Sequence, residues 1–255
     1  MKKKLLMVVL GAMISGIVCA QDYKVSKSSG TLDIREVNDV SVEGYDGNEI
    51  IFSARGNDRS SDERAQGLRA VSSLGLEDNT GLGLSVVDKG QVIEVRQLKK
   101  MGGPDVTIKV PKGVKVFYSH NSPHGSEVQF RNVEGEIEVS TVHSGVRLTN
   151  VTGPMEVKTV HGGIEAVLGA ALKNPVSIQS VHGHVDVALP VTTKANLKLA
   201  SSHGEILVDP DFKIEIERTG DLVRYSDKVN GKINGGGINI TLSASHDNVY
   251  LRKMK

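Results

Sequence analysis

An all-β fold, most simply a single-stranded parallel β-solenoid (β-helix-like) with N-terminal strands, is predicted by three observations. The first is a phrase that recurs between Glu134 and Val208: Thr141-Val142-His143-Ser144-Gly145, Thr159-Val160-His161-Gly162-Gly163, Ser180-Val181-His182-Gly183-His184 and Ser201-Ser202-His203-Gly204-Glu205. Its histidines lie 18, 21 and 21 residues apart, a period that signals stacked supersecondary units. The second is alternation of period two around each histidine. The fourth residue before it is apolar (Val139, Val157, Ile178, Leu199), as are the third after (Val146, Ile164, Val185, Ile206) and the fifth after (Leu148, Ala166, Val187, Val208), the pattern of strands with one buried face. The third is composition: 28 glycines, no tryptophan and 4% aromatic residues suit thin strands and tight turns. An antiparallel β-sandwich is the alternative, because strands about nine residues apart also suit that class.

At the N-terminus, residues 1–20 read as a cleaved secretory signal. Lys2, Lys3 and Lys4 precede an apolar run from Leu5 to Val18, and Val18 and Ala20 fit the small-residue positions before a cut at Gln21. The run is short for a membrane span, so no transmembrane segment is expected in the mature chain. Cys19, the only cysteine, could instead mark a lipidated signal, but valine before it disfavours that processing. Cleavage after Ala20 leaves no cysteine, and stability then rests on packing and backbone pairing. It also removes three of the 31 basic residues, leaving 28 against 30 acidic ones. That balance gives no electrostatic reason to expect nucleic acid as a partner.

The mature chain, 21–255, is expected to divide into N-terminal strands over 30–113 and repeats over 114–255. Thr31–Ile34, Val40–Val42 and Ile50–Phe52 read as strands, with Tyr45-Asp46-Gly47-Asn48 as a hairpin turn between the last two. Residues 55–74 are polar and fit a short helix or a surface loop. Strands resume at Leu82–Val87, Val92–Leu98 and Val106–Val110, where Pro111 ends the last, with a turn at Met101-Gly102-Gly103-Pro104. His120 and His124 flank the loop that opens the repeats. Half-repeats without histidine, at Glu134–Ile137 and Val151–Pro154, imply two strands per period. After a charged excursion over 209–230, His246-Asp247-Asn248-Val249 repeats the phrase once more and reads as an atypical terminal unit.

The recurring Thr-Val-His-Gly corner, the Ile108–Pro111 strand end, the Leu189-Pro190 pair and the Gly235-Gly236-Gly237 run resemble a family of bacterial "putative adhesin" domains, secreted or envelope-attached and of unknown function. The resemblance covers Thr31 to Lys255 and implies a solenoid, without established catalytic residues. Histidine at the corners departs from the asparagine usual there.

Two patterns bear on chemistry. His182, His184 and Asp186 alternate as on one side of a strand, and imidazole with carboxylate suits zinc, although Val187 stands where a binuclear hydrolase motif needs another histidine. If each period makes one rung, His143, His161, His182 and His203 form a ladder spaced by about 4.8 Å. The ladder is then a column of corner residues or a row of candidate zinc ligands. Such a column cannot be protonated throughout without like-charge repulsion, so acid should weaken it. No thiol, serine elbow or phosphate loop is present, and Asn150-Val151-Thr152 and Asn239-Ile240-Thr241 match the glycosylation pattern only as short motifs. The function expected is that of a non-catalytic exported protein, periplasmic, cell-envelope or extracellular, with an adhesin-like binding or structural role toward an unknown envelope, surface or carbohydrate partner. The opposing reading is a metal-dependent or carbohydrate-active hydrolase using the ladder. No resident cofactor is expected, zinc being the one candidate ion.

Overall fold

The computed structural model describes residues 22–55, 63–65, 67–68, 70–217 and 228–254. Residues 1–20, expected from the sequence to be a secretory signal, with Cys19 among them, and part of the 55–74 connection lie outside them; a single 3-10 turn at Glu63–Ala65 is described there. The chain is all-β. Its strands are β1 (Asp22–Val25), β2 (Ser29–Arg35), β3 (Asp39–Tyr45), β4 (Ile50–Arg55), β5 (Leu84–Asp88), β6 (Val92–Gln97), β7 (Asp105–Pro111), β8 (Gly113–His120), β9 (Val128–Arg131), β10 (Ile137–Thr141) and β11 (Val146–Val151). There follow β12 (Met155–Thr159), β13 (Ile164–Leu168), β14 (Val176–Ser180), β15 (Val185–Leu189), β16 (Ala195–Ser201), β17 (Ile206–Val208), β18 (Glu215–Ile216), β19 (Lys228–Ile233), β20 (Ile238–Ala244) and β21 (Val249–Lys253).

They form two sheets. The first runs β1-β4-β7-β3-β9-β11-β13-β15-β21-β17 and the second β18-β19-β16-β20-β14-β12-β10-β8-β2-β6-β5. Each central rung gives one strand to each sheet, and eight such rungs pair in parallel in the same spatial order in both. This is a solenoid-like body, largely parallel, with antiparallel strands at its ends: β4 on β7, β5 on β6 and β19 on β16.

Spatial order departs from chain order at both ends. The first rung in the chain, β2/β3, lies inside the second, β6/β7, and the last, β20/β21, is inserted between β14/β15 and β16/β17. Two expectations are corrected here. Tyr45–Asn48 does not close a hairpin between paired strands, because β7 lies between β3 and β4. The His246 unit is interior. In both cases the outermost rung carries antiparallel strands on its outer edge, which pairs backbone groups that would otherwise be left open there.

The core is a single apolar cluster reaching from Leu32 to Leu251. The columns read from the sequence supply its middle, with Val139, Val157, Ile178, Leu199, Val146, Ile164 and Val185 all buried. Ile206 and Val208 are only partly buried, since β17 is the last strand of its sheet.

Candidate functional site

Five corner positions stack because the parallel ladder does not stop where the strands end. Backbone amides of His161, His182 and His246 donate to the carbonyls of Val142, Val160 and Val181 at 2.8–2.9 Å, and that of His203 to Ser245 at 3.0 Å. Each corner is thereby fixed one rung above the last. Two residues before His143, His161, His182 and His203 a buried hydroxyl completes the turn, whereas a buried Ala244 takes that place before His246. Thr141 and Thr159 donate to the carbonyls of Ser144 and Gly162 at 2.6 and 2.5 Å. Ser180 donates to Gly162 O in the neighbouring rung at 3.0 Å and accepts from the Gly183 amide at 2.9 Å. Ser201 makes the equivalent bonds to Asp247 O and from Gly204 N. Glycine after the histidine has a steric cause: a Cβ on Gly183 would sit 2.3 Å from Gly162 O.

Held this way, the imidazoles form one column. Ring centroids are 5.3 Å apart for His143 and His161, 4.9 Å for His161 and His182, 4.7 Å for His182 and His246, and 4.6 Å for His246 and His203, with interplanar angles of 7–14°. The ladder predicted from the sequence therefore exists, with five members, and His182 and His203 are not neighbours. All five side chains are exposed. His203 Nδ1 lies 3.2 Å from Ser245 O, so this ring donates there.

His184 stands apart from the column, edge-on to Tyr250 at 6.5 Å. Asp186 accepts two bonds of 2.8 Å from the Arg252 guanidinium, which also lies 4.9 Å over the Tyr250 ring. The segment His182–Asp186 thus sends its three polar side chains to three different partners. Among the described residues no group of three or more His, Cys, Asp or Glu side chains is placed to hold a metal ion. Near-parallel rings direct their lone pairs side by side; zinc at about 2.0–2.1 Å from two of them would require both to tilt out of the stack.

His120 occupies the hydroxyl slot of its own rung, paired with Thr141, and is fully buried. It lies between Asn38 Oδ1 at 3.1 Å and Ser144 Oγ at 3.3 Å, stacked on Tyr118 at 6.1 Å. Burial holds its pKa below the ordinary imidazole value, against the pull of Glu36 and Asp39, with a further lowering from His143. The Tyr118 hydroxyl, buried and donating to Val37 O at 2.8 Å, is pushed upward, chiefly by desolvation.

A second feature went unread in the sequence. On the outer face of the second sheet a shallow groove of about 300 Å³ is lined by Asp33, Arg35, Phe117, Ser119, Glu138 and Ser140. Arg35 grips the Asp33 carboxylate with bonds of 2.9 and 2.6 Å. Phe117 is the one aromatic residue on the outward positions of this sheet among the described residues. Its signal was available: in β8 it falls out of phase with the buried Val116 and Tyr118, so it had to face outward.

Among curated proteins none matches the chain. A crystal structure of a "putative cell adhesion protein" from Clostridium sporogenes is similar over 92% of this chain and 100% of that one, with 11% identity and a TM-score of 0.45, too distant a likeness to bear on function. The family model described as Toastrack DUF4097 matches residues 20–252. With two mainly parallel sheets stacked rung on rung over the matched span, the chain belongs to the Toastrack DUF4097 family.

Proposed function

We propose that the protein is a non-catalytic, exported envelope protein of the adhesin-like kind, and that it binds a glycan on the outer face of its second sheet. The observation that carries this reading is Phe117, an aromatic ring set among the polar side chains of Asp33, Arg35, Ser119, Glu138 and Ser140. An aromatic surface accepts the apolar face of a sugar, and the fixed Asp33–Arg35 pair with the Ser119 and Ser140 hydroxyls offers polar groups at its border. Asp33 is held as an acceptor by Arg35, which suits recognition better than proton donation in glycoside hydrolysis. Export rests on the signal-like residues 1–20.

Binding to an immobilised panel of bacterial and host glycans, with the mature chain and Phe117→Ala side by side, tests the proposal. At least one glycan class should be retained by the wild type and lost by roughly tenfold or more in the variant, at unchanged melting temperature. Equal retention by both chains, or release of reducing ends from a retained glycan, would refute it.

A further inference from the structure

We propose that the histidine ladder is a second binding strip, switched on by acid, that takes a linear polyuronate, a polysaccharide bearing one carboxylate on every sugar. The strip shares no residue with the Phe117 groove and does not depend on it.

Three observations lead there. The five rings of His143, His161, His182, His246 and His203 are exposed and lie in one column with one imidazole per rung, 4.6–5.3 Å from centroid to centroid. The parallel backbone bonds of the corners fix that repeat, so the spacing of the column is set by the fold and not by a ligand. Finally, among the described residues none of the five is in a salt bridge: the ion pairs of the molecule lie elsewhere, as in Arg147 with Glu127 and Glu165. Charge placed on the column is therefore not neutralised locally.

The titratable groups on the packed corner segments are Asp247 and Glu205 beside the His246 and His203 end, and His184. On the preceding corner lie His120, His124 and Glu127, with Glu36 engaged by the amides of Asn121 and Ser122. The corners of His143, His161 and His182 continue into Ser144, Gly162 and Gly183 and bring no carboxylate of their own, so these three form the binding half of the strip.

The column suits a polymer rather than a single anion. Imidazole is the side chain type whose charge changes between about pH 5 and pH 8, and only its charged form attracts a carboxylate. Like charges at this spacing repel one another, so a charged column gains from a ligand that neutralises it. A chain of carboxylates laid along the column offsets each added charge in turn. By linkage, binding draws protons onto the column, and affinity rises as pH falls. Because the contacts are exposed charge pairs, salt screens them.

Retention of the mature chain on immobilised polygalacturonate, against neutral dextran, tests this at about pH 5 and pH 7.5, on either side of the imidazole range. The expected result is retention at least tenfold stronger at the lower pH, absent on dextran, weakened by added salt and accompanied by proton uptake. His161→Asn/His182→Asn should abolish most of it, with melting temperature recorded at both pH values, and His161→Gln/His182→Gln should do the same should the asparagine pair disturb the corner. The Phe117→Ala chain should bind polygalacturonate like the wild type. Binding that is independent of pH, unaffected by both double variants, or seen at pH 7.5 only when zinc is added would overturn the proposal.

Discussion

At the scale of single residues, the stability of the rungs rests on buried methyl groups and on the corner hydroxyls. Ile178 is fully buried between Val157 and Leu242, its register partners on either side. Truncation to alanine should cost about 2–4 kcal/mol in chemical unfolding, and a loss below about 0.5 kcal/mol would mean that the column points outward. The two hydroxyl types separate in the same assay. Thr159→Val removes one donor to Gly162 O, which still accepts from Ser180, and should cost about 1 kcal/mol. Ser180→Ala also strips the Gly183 amide of its acceptor and should cost about 1–3 kcal/mol. His120 predicts a pH effect. Its folded pKa is lowered, chiefly by burial, so the folded state binds fewer protons than the unfolded one. The full stability is present above the unfolded value of about 6.5 and is lost as pH falls below it. Urea titrations from pH 8 to about pH 5 should show that loss, and it should be smaller in His120→Gln. Equal slopes for both chains would contradict this role for His120.

At the scale of elements, alternation of period two told which residues face the core, because it reports the face of a strand directly. Val139, Val157, Ile178 and Leu199 are buried as their spacing requires. It told nothing of who sits beside whom. His182 and His203 were legible as corner residues of consecutive units, yet His246 lies between them, since pairing order depends on edges distant in sequence. His120 was legible as a repeat histidine but not as a buried one, because its slot is the hydroxyl column rather than the ladder. Stacking also bears on metals. Zinc at neutral pH should leave the melting temperature unchanged, as the parallel rings offer no convergent pair of nitrogens. A clear zinc-dependent rise, lost in His161→Asn/His182→Asn, would show that two rings leave the stack to share an ion.

Taken whole, the described residues form a stack of eight rungs whose outermost rungs bear antiparallel strands and whose ends exchange neighbours symmetrically: first with second, last with next-to-last. A repeat read along the chain predicts the rungs but not this exchange, because which rungs carry the antiparallel strands β4, β5 and β19 depends on pairings distant in sequence. The exchange has a consequence for the histidine column. Inserting β20/β21 lengthens the histidine column from four to five without a gap, placing His246 4.7 Å from His182 and 4.6 Å from His203. Cysteine cross-linking of the mature chain tests the arrangement most directly, since removal of residues 1–20 takes away the one native cysteine. Gln179 and Ser243 are register partners, whereas Ala200 pairs with Ser243 on its far side. Gln179→Cys/Ser243→Cys should therefore form a disulfide on mild oxidation, and Gln179→Cys/Ala200→Cys, two rungs apart and beyond the roughly 7 Å reach of a disulfide, should not. Ready closure of the second pair with none in the first would mean that the rungs follow chain order, and the exchanged ends and the five-membered ladder would both be wrong.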